Sequence, residues 1–175
     1  MTTGVVTLIG LMGAGKSKVG RNAAAEVDRP FVDTDRLVER DAGMTVADVF
    51  ATEGEAGFRR RERAAVEAAT ATAGAVVSAG GGAVLDGRNV DRMRAAGHVV
   101  WLYAEPETLA LRLRRSVQRG DRPLLADADP LQVLRTLLED RRAAYTAAAT
   151  VILRTDGLAV EQSTRLLADW LREHT

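Results

Sequence analysis

One stretch decides the fold of this 175-residue chain: Gly10-Leu11-Met12-Gly13-Ala14-Gly15-Lys16-Ser17-Lys18. It contains the pattern G-x-x-x-x-G-K-S of the phosphate-binding P-loop. Gly10, Gly13 and Gly15 allow the backbone to take positive φ angles and to turn its N–H groups inward around an anion. The pattern predicts that the loop, with Gly13, Ala14 and Gly15 at its centre, binds the phosphates of a nucleotide.

The lysines of this stretch are the only two in a chain that otherwise uses arginine as its cation. A compact ammonium is therefore expected to be required at Lys16, where it would contact the β- and γ-phosphates of the nucleotide. The hydroxyl of Ser17 is expected to ligate Mg²⁺. Lys18 is a further candidate for contact with the nucleotide phosphates, and the alternative is that it only begins the helix. The helix that begins near Gly15 directs the positive end of its dipole to the same phosphates.

The surrounding sequence alternates between short apolar runs and helical segments. The runs predict strands over residues 5–9, 31–32, 75–78, 99–103 and 151–153. The segments between and after them predict helices over residues 19–27, 35–41, 45–53, 54–71, 89–96, 107–115, from 130 onward, and 160–173. This alternation is typical of a parallel sheet with helices on both faces. We therefore expect a three-layer α/β/α fold of the P-loop nucleoside monophosphate kinase type, with five parallel strands, in one domain over residues 1–175.

Composition excludes several classes of function. Lys+Arg and Asp+Glu are equal at 24 each, so no overall positive charge would attract nucleic acid or an anionic membrane. The chain has no cysteine, which excludes disulfides and thiolate chemistry. Its first apolar run is too short to span a membrane and is not preceded by a basic segment. We expect a cytoplasmic protein that acts as a monomer.

Two aspartates follow the predicted second strand, in the sequence Phe31-Val32-Asp33-Thr34-Asp35. In open α/β sheets, ligands bind at the carboxyl ends of the strands. Asp33 is therefore a candidate ligand of Mg²⁺ through water, and Asp35 is a candidate for orienting or deprotonating a substrate hydroxyl. The alternative is that one of the two aspartates, Asp35 included, caps the following helix.

Three further features suggest a second substrate. The basic run from Phe58 to Arg63 would usually be a solvated helix face, but one of its arginines could turn inward to bind a carboxylate. The run Gly80-Gly81-Gly82 follows a buried strand, and three residues without Cβ allow backbone N–H groups to approach a ligand. Arg141 lies on the apolar stripe of its helix, where its charge requires a partner from the protein or from a substrate.

Taken together, these motifs resemble the shikimate kinases. The resemblance runs almost end to end, from the P-loop through Asp33-Thr34-Asp35, Phe58-Arg59-Arg60, Gly80-Gly81-Gly82 and Arg122-Pro123-Leu124-Leu125 to Arg141 with Tyr145. It implies transfer of the γ-phosphoryl group of ATP, with Mg²⁺, to the 3-hydroxyl of shikimate in aromatic amino-acid biosynthesis.

The resemblance also implies roles for single residues. Asp35 would contact the ring hydroxyls of shikimate, Arg59 and Arg141 its carboxylate, and Gly81 would bind it through the backbone. Arg122 would be a catalytic arginine that closes over ATP, within a lid at about residues 116–129. Arg115 would lie against adenine. The substrate-binding segment would span about residues 34–63.

The chain departs from the family pattern at three places. Lys18 replaces the usual threonine or serine, Ala143 replaces a proline between Arg141 and Tyr145, and Arg154-Thr155-Asp156 replaces a common Asp-Thr near adenine. Two other functions remain open from the residues alone. One is a kinase of the same fold acting on a sugar acid such as gluconate, and the other is a nucleotide-binding regulatory protein without catalysis.

Overall fold

A computed structural model describes residues 4–117 and 129–175, without the side chains of residues 115–117. Its described part contains five strands, which pair only in parallel: β1 (Val5–Ile9), β2 (Phe31–Asp33), β3 (Val76–Ser78), β4 (Gly97–Tyr103) and β5 (Val151–Arg154). Their order across the sheet is β2-β3-β1-β4-β5. The strand that leads into the P-loop is therefore central.

Seven helices connect and cover these strands within the described part of the chain. They are α1 (Lys16–Glu26), α2 (Thr34–Ala42), α3 (Val46–Thr70), α4 (Gly87–Ala96), α5 (Pro106–Val117), α6 (Pro130–Ala148) and α7 (Val160–His174). A short 3-10 helix, Ala83–Leu85, precedes α4. The predicted three-layer fold with five parallel strands is confirmed. Among the described helices, none combines the length and the apolar character needed to cross a membrane.

The register of the sheet brings polar residues to one edge. In the β2–β3 pair Asp33 lies opposite Ser78, and in the β1–β3 pair Ser78 lies opposite Leu8, close to the start of the P-loop. Because all the strands run parallel, their carboxyl ends meet at this edge. The P-loop, the aspartates after β2 and the glycines after β3 therefore lie on the same side of the sheet.

The core forms on the apolar residues of the central strands. Leu8, Ile9 and Val100 are completely buried, and the helices contribute residues such as Leu134 and Leu167 to the same cluster. Burying a side chain of this size contributes about 1.5–3 kcal/mol to stability. The P-loop and the strand ends are thus supported by a tightly packed framework.

Helix α3 contains a break that the sequence predicts. A helix start at Thr45 is confirmed, because its hydroxyl accepts from Asp48 N and the Asp48 carboxylate accepts from Thr45 N, a capping box. At Gly54 the backbone is non-helical, with φ of 67° and ψ of −177°. Glycine adopts such angles without strain from a Cβ. The helices predicted on either side of this point are therefore two segments of α3.

The predicted boundaries differ from the structure mainly at element ends. Strand β4 begins at Gly97, two residues before the predicted start, because Gly97 already pairs with Val5 of β1. Helix α5 continues to Val117, so the expectation that a loop begins at residue 116 is wrong. Asp129 accepts a hydrogen bond from Leu131 N and caps α6. The rest of the predicted lid, residues 118–128, lies outside the described residues.

Candidate active site

The P-loop connects β1 to α1 and has the backbone that its glycines predict. The φ angles of Gly10, Gly13 and Gly15 are 144°, 82° and 91°. A Cβ on Gly10 would lie 2.6 Å from the carbonyl oxygen of Leu102, so glycine is also required there by space. The loop ends where α1 begins at Lys16, and the free N–H groups of the first helical turn therefore lie beside the loop.

Two side chains of α1 contact groups that frame the phosphate site. Lys16 Nζ donates to the carbonyl oxygens of Gly10 and Leu11, at 2.7 and 3.2 Å, and so curls back over the loop. Ser17 Oγ donates to Asp33 Oδ2 at 2.6 Å and lies 3.3 Å from Ser78 Oγ. The Lys16 ammonium is thus held at the start of α1, next to the side-chain oxygens of Ser17, Asp33 and Ser78.

Asp33 serves two purposes. Its Oδ1 accepts from Asp35 N at 3.0 Å and from Arg36 N at 3.5 Å, so Asp33 is the N-cap of α2. The alternative that Asp35 is this cap is wrong, because α2 begins at Thr34 and Asp35 already lies in its first turn. Asp33 Oδ2 faces Ser17 instead. A hydroxyl and a carboxylate in contact fit Mg²⁺, which is usually bound by one or two protein oxygens together with substrate phosphates.

Asp35 lies in the first turn of α2 and points at the glycines after β3. Its Oδ1 lies 2.9 Å from the position that a Cβ on Gly80 would occupy. Gly80 N donates to the buried hydroxyl of Thr34 at 3.0 Å. Contrary to the expectation of three bare N–H groups, this one is used within the protein. Among the described residues, no hydrogen-bond partner engages the N–H groups of Gly81 and Gly82.

Arg59 is the arginine of the basic run that turns inward. Its guanidinium would lie within 2.8 Å of a Cβ on Gly82, and it donates to Glu62 Oε2 at 2.7 Å. By contrast, Arg60 is exposed and Arg61 binds Glu53. The interpretation of the run as a solvated face with one inward arginine therefore holds.

Glu62 is the most unusual charge in the site. Only 1% of it is exposed, and its Oε1 is buried without a hydrogen-bond partner among the described atoms. Burial raises the pKa of Glu62, the hydrogen bond and charge of Arg59 oppose the rise, and the charges of Asp35 and Asp86 add to it. The carboxylate anchors the Arg59 guanidinium beside the glycines.

Arg141 reaches the same glycines from α6. Its Nη1 lies 3.7 Å from the Cβ position of Gly81, and the Tyr145 hydroxyl lies 3.8 Å from it. None of the ion pairs in the described part of the chain involves Arg141. Arg142 is exposed, as its position on the helix predicts. The structure thus brings two arginines to one glycine turn, next to Asp35 and the P-loop.

Comparison with known proteins identifies the family of this chain. The sequence model of the shikimate kinase family matches residues 12–172. The chain belongs to the shikimate kinase family. One relative, the shikimate kinase of Symbiobacterium thermophilum, is 50% identical over 169 residues, which cover 96% of each chain. The family resemblance drawn from the motifs is confirmed.

Solved structures of this family have the same fold. Shikimate kinase from Acinetobacter baumannii in complex with shikimate superposes with a TM-score of 0.86 at 35% identity, covering 98% of this chain and 95% of that one. A gluconokinase from Sinorhizobium meliloti superposes with a TM-score of 0.64 at 20% identity, covering 98% and 93%. At that identity the second likeness concerns the fold alone.

Some residues expected in the shikimate kinase site are not described. Arg122 lies in the segment outside the described residues, and of Arg115 only the backbone is described, within α5. Near the expected adenine end, Arg112 donates to the hydroxyl and the carbonyl of Thr155. Asp156 Oδ1 accepts from Glu105 N at 2.8 Å. Lys18 lies exposed in the first turn of α1.

Sequence reasoning missed two residues of the site. Glu62 stands among four arginines, and the usual interpretation of such a run is a set of exposed ion pairs. Its spacing of three residues from Arg59 is nevertheless the spacing of helical neighbours. Thr34 is a small polar residue between two aspartates, and its hydrogen bond to Gly80 joins segments 46 residues apart in sequence. Local patterns contain no signal for that contact.

Proposed function

We propose that this site transfers the γ-phosphoryl group of ATP to the 3-hydroxyl of shikimate, which gives shikimate 3-phosphate and ADP for aromatic amino-acid biosynthesis. The observation that carries the proposal is the meeting of Asp35, Arg59 and Arg141 around Gly80, Gly81 and Gly82, on the same edge of the sheet as the P-loop. Membership of the shikimate kinase family supports it independently.

In this proposal the nucleotide occupies the P-loop. The backbone of Gly13, Ala14 and Gly15 binds its phosphates, and Lys16 leaves the carbonyl groups of the loop to contact the β- and γ-phosphates. Ser17 and Asp33 would hold Mg²⁺, directly and through water, which is the set of ligands that their mutual hydrogen bond already assembles. Bound Mg²⁺ neutralises negative charge on the phosphates during transfer.

Lys18 is proposed to add a further contact to the nucleotide. The first turn of α1 contains no acidic residue, so the charge of Lys18 is not balanced within that turn. Helical Cα–Cβ bonds tilt toward the N-terminus, which directs this side chain to the end where the phosphates would lie. A cation is unfavourable at a helix N-terminus, and a bound polyphosphate would remove that repulsion.

Shikimate is proposed to bind over the glycine turn. Its carboxylate would lie between the guanidinium groups of Arg59 and Arg141, each of which can donate two parallel hydrogen bonds. The N–H groups of Gly81 and Gly82 would provide donors at the same place. Asp35, on the side of the turn near the P-loop, would accept from the ring hydroxyls.

The chemical step requires alignment more than new covalent bonds to the protein. The oxygen of the 3-hydroxyl attacks the γ-phosphorus, the bond from that phosphorus to the bridging oxygen breaks, and ADP leaves. Asp35 orients the hydroxyl and accepts its proton as the new bond forms. In such a loose transition state, positioning and neutralisation of charge supply most of the rate enhancement.

Two arginines are proposed from sequence alone. Arg122 would supply positive charge to the transferred phosphoryl group from a lid over the nucleotide, and Arg115 would lie against adenine. With ATP and a small metabolite as substrates, we expect a cytoplasmic enzyme that works as a single-domain monomer, with residues 34–63 as its substrate-binding segment.

One assay tests the proposal against both alternatives. ADP release is measured from ATP and Mg²⁺ with shikimate, with gluconate, and with no acceptor. We expect release that depends on shikimate. Release with gluconate alone would identify a sugar-acid kinase, and an absence of release with every acceptor, together with retained ATP binding, would identify a regulatory nucleotide-binding protein.

A further inference from the structure

Tyr145 joins helix α6 to the glycine turn. Its hydroxyl donates to the carbonyl oxygen of Gly81 at 2.6 Å, across 64 residues of sequence. The side chain is completely buried, and its ring stacks on Trp101 with centroids 5.1 Å apart and an interplanar angle of 22°. The ring is therefore held by packing, and the position of its hydroxyl is fixed.

The same hydroxyl lies beside Arg141, one turn earlier on α6. Burial raises the pKa of Tyr145 to about 12, while the charge of the nearby Arg141 opposes the rise. The phenol consequently stays protonated at neutral pH. It can donate its proton to Gly81 and at the same time accept from the guanidinium, because a hydroxyl is both a donor and an acceptor.

The bond to Gly81 has a geometric consequence for the next residue. The carbonyl of Gly81 and the N–H of Gly82 belong to one planar peptide group, and the described chain has no cis peptide bond. In a trans peptide these two groups point in opposite directions. Holding the carbonyl toward Tyr145 therefore directs the Gly82 N–H away from Tyr145. Gly82 itself lies beside Arg59, whose guanidinium nitrogens are within 2.8 Å of its Cβ position.

We propose that Tyr145 is a positioning residue for the acceptor substrate, because its hydroxyl holds the Gly81–Gly82 peptide by a hydrogen bond and lies beside the Arg141 guanidinium. This inference rests on the proposed function, in which both groups bind the carboxylate of shikimate. The hydroxyl does not touch the substrate. It raises the affinity for the substrate by fixing the direction of the Gly82 N–H, next to Arg141, before the substrate binds.

The test is Tyr145→Phe, which removes one oxygen atom and keeps the ring that packs on Trp101. We expect the KM for shikimate to rise about three- to tenfold, the range that one lost hydrogen bond corresponds to. The kcat should stay within about threefold and the KM for ATP should not change. Tyr103→Phe is the matched control, because Tyr103 also contacts Trp101 but its hydroxyl interacts with Glu105 and Arg142 instead.

A second measurement separates positioning from a purely structural role. Acceptor KM is compared for shikimate and for an analogue whose carboxylate is replaced by a hydroxymethyl group. If Tyr145 acts through the protein groups that donate to the carboxylate, the Phe variant raises the KM for shikimate. It leaves the KM for the analogue almost unchanged. In an Arg141→Ala background, the same substitution should have a smaller effect on the KM for shikimate than it has alone.

The outcomes are distinguishable. A wild-type protein without shikimate-dependent ADP release would refute the proposed function. A wild-type protein with that activity, combined with a Phe variant that has unchanged KM for shikimate or an equal rise for both acceptors, would refute the positioning role. A fall in melting temperature with unchanged KM would likewise make Tyr145 structural.

Discussion

Asp35 and Glu62 approach one point above Gly80. Asp35 Oδ1 and Glu62 Oε1 each lie 2.9 Å from the position of a Cβ on that glycine, although one comes from α2 and the other from α3. The two carboxylates repel each other when both are ionised, and the charge of Asp35 contributes to the raised pKa of Glu62. Glycine is required at this position because any side chain would enter the space between the two carboxylates.

The first prediction concerns Gly80→Ala. The new methyl group would collide with the ends of two side chains, which can move, so the fold should survive while Asp35 is displaced. We expect kcat to fall by about 10²-fold, the scale of the loss when a reacting group moves by about 1 Å. Steady-state kinetics and circular dichroism measure the two effects. Gly87→Ala, in open space at the start of α4, is the control and should be active. Near-normal turnover of Gly80→Ala would contradict the prediction.

The second prediction concerns Asp35→Asn. The amide keeps the size of the carboxylate but cannot accept the hydroxyl proton, so kcat should fall by about 10²–10⁴-fold. The affinity for ATP, measured by calorimetry, should persist because the P-loop is unchanged. Asp41→Asn, on the exposed end of the same helix, is the control. An Asp35→Asn variant with normal turnover would remove Asp35 from the mechanism.

The parts of the site that local sequence determines are predictable. The P-loop and the start of α1 follow from a glycine pattern within nine residues. Strand β1 follows from the apolar run before it and spans the predicted residues. The inward position of Arg141 follows from the period of the apolar residues on its helix. These features need no knowledge of how distant segments meet.

The parts that depend on tertiary contact are not predictable in the same way. A glutamate side chain is usually exposed to solvent. Glu62 is buried instead, because its carboxylate packs against Arg59 and the glycine turn at Gly80. The choice between Asp33 and Asp35 as the cap of α2 depends on a shift of two residues in the start of the helix, which is within the uncertainty of helix boundaries. Both features concern the part of the site around Gly80, where Asp35 and Glu62 meet.

The third prediction concerns Arg141→Ala. Loss of a charge-assisted pair of hydrogen bonds to the substrate carboxylate should raise the KM for shikimate by about tenfold or more, with little change in the KM for ATP. Because no described carboxylate pairs with Arg141, the melting temperature should change little. Arg142→Ala, on the adjacent exposed position, is the control. A large fall in melting temperature with unchanged KM would instead indicate a structural partner.

The fourth prediction concerns Lys18→Thr, which introduces the residue that the family commonly has. If the ammonium contacts the nucleotide, the Kd for ATP and for ADP should rise by similar factors of about fivefold, since a charge interaction of this kind is worth about 1 kcal/mol. The kcat should stay nearly constant. Lys18→Gln, which keeps much of the length without the charge, should behave like the Thr variant. Unchanged Kd values for both nucleotides would remove Lys18 from the site.

The fifth prediction concerns the pH dependence that the buried Glu62 introduces. Its pKa is raised in the folded protein, so between the unfolded and folded pKa values the folded state binds more protons than the unfolded state. The contribution of Glu62 to stability is therefore fully present below the unfolded pKa, near 4.5, and is lost as the pH rises through the folded pKa. Each pH unit in this interval lowers the free energy of unfolding by at most about 1.4 kcal/mol, the value for a difference of one bound proton.

Glu62→Gln isolates this contribution, because the amide does not titrate. The free energy of unfolding of the wild type relative to this variant should decrease as the pH is raised from about 4.5, the unfolded value, and should become constant above the folded pKa. Urea denaturation at a series of pH values measures it. Glu67→Gln, on an exposed turn of the same helix, is the control for general charge effects. If the stability difference between the wild type and Glu62→Gln increased with pH instead, Arg59 would dominate over burial, and the carboxylate of Glu62 would be an ion-pair partner whose ionised form stabilises the site.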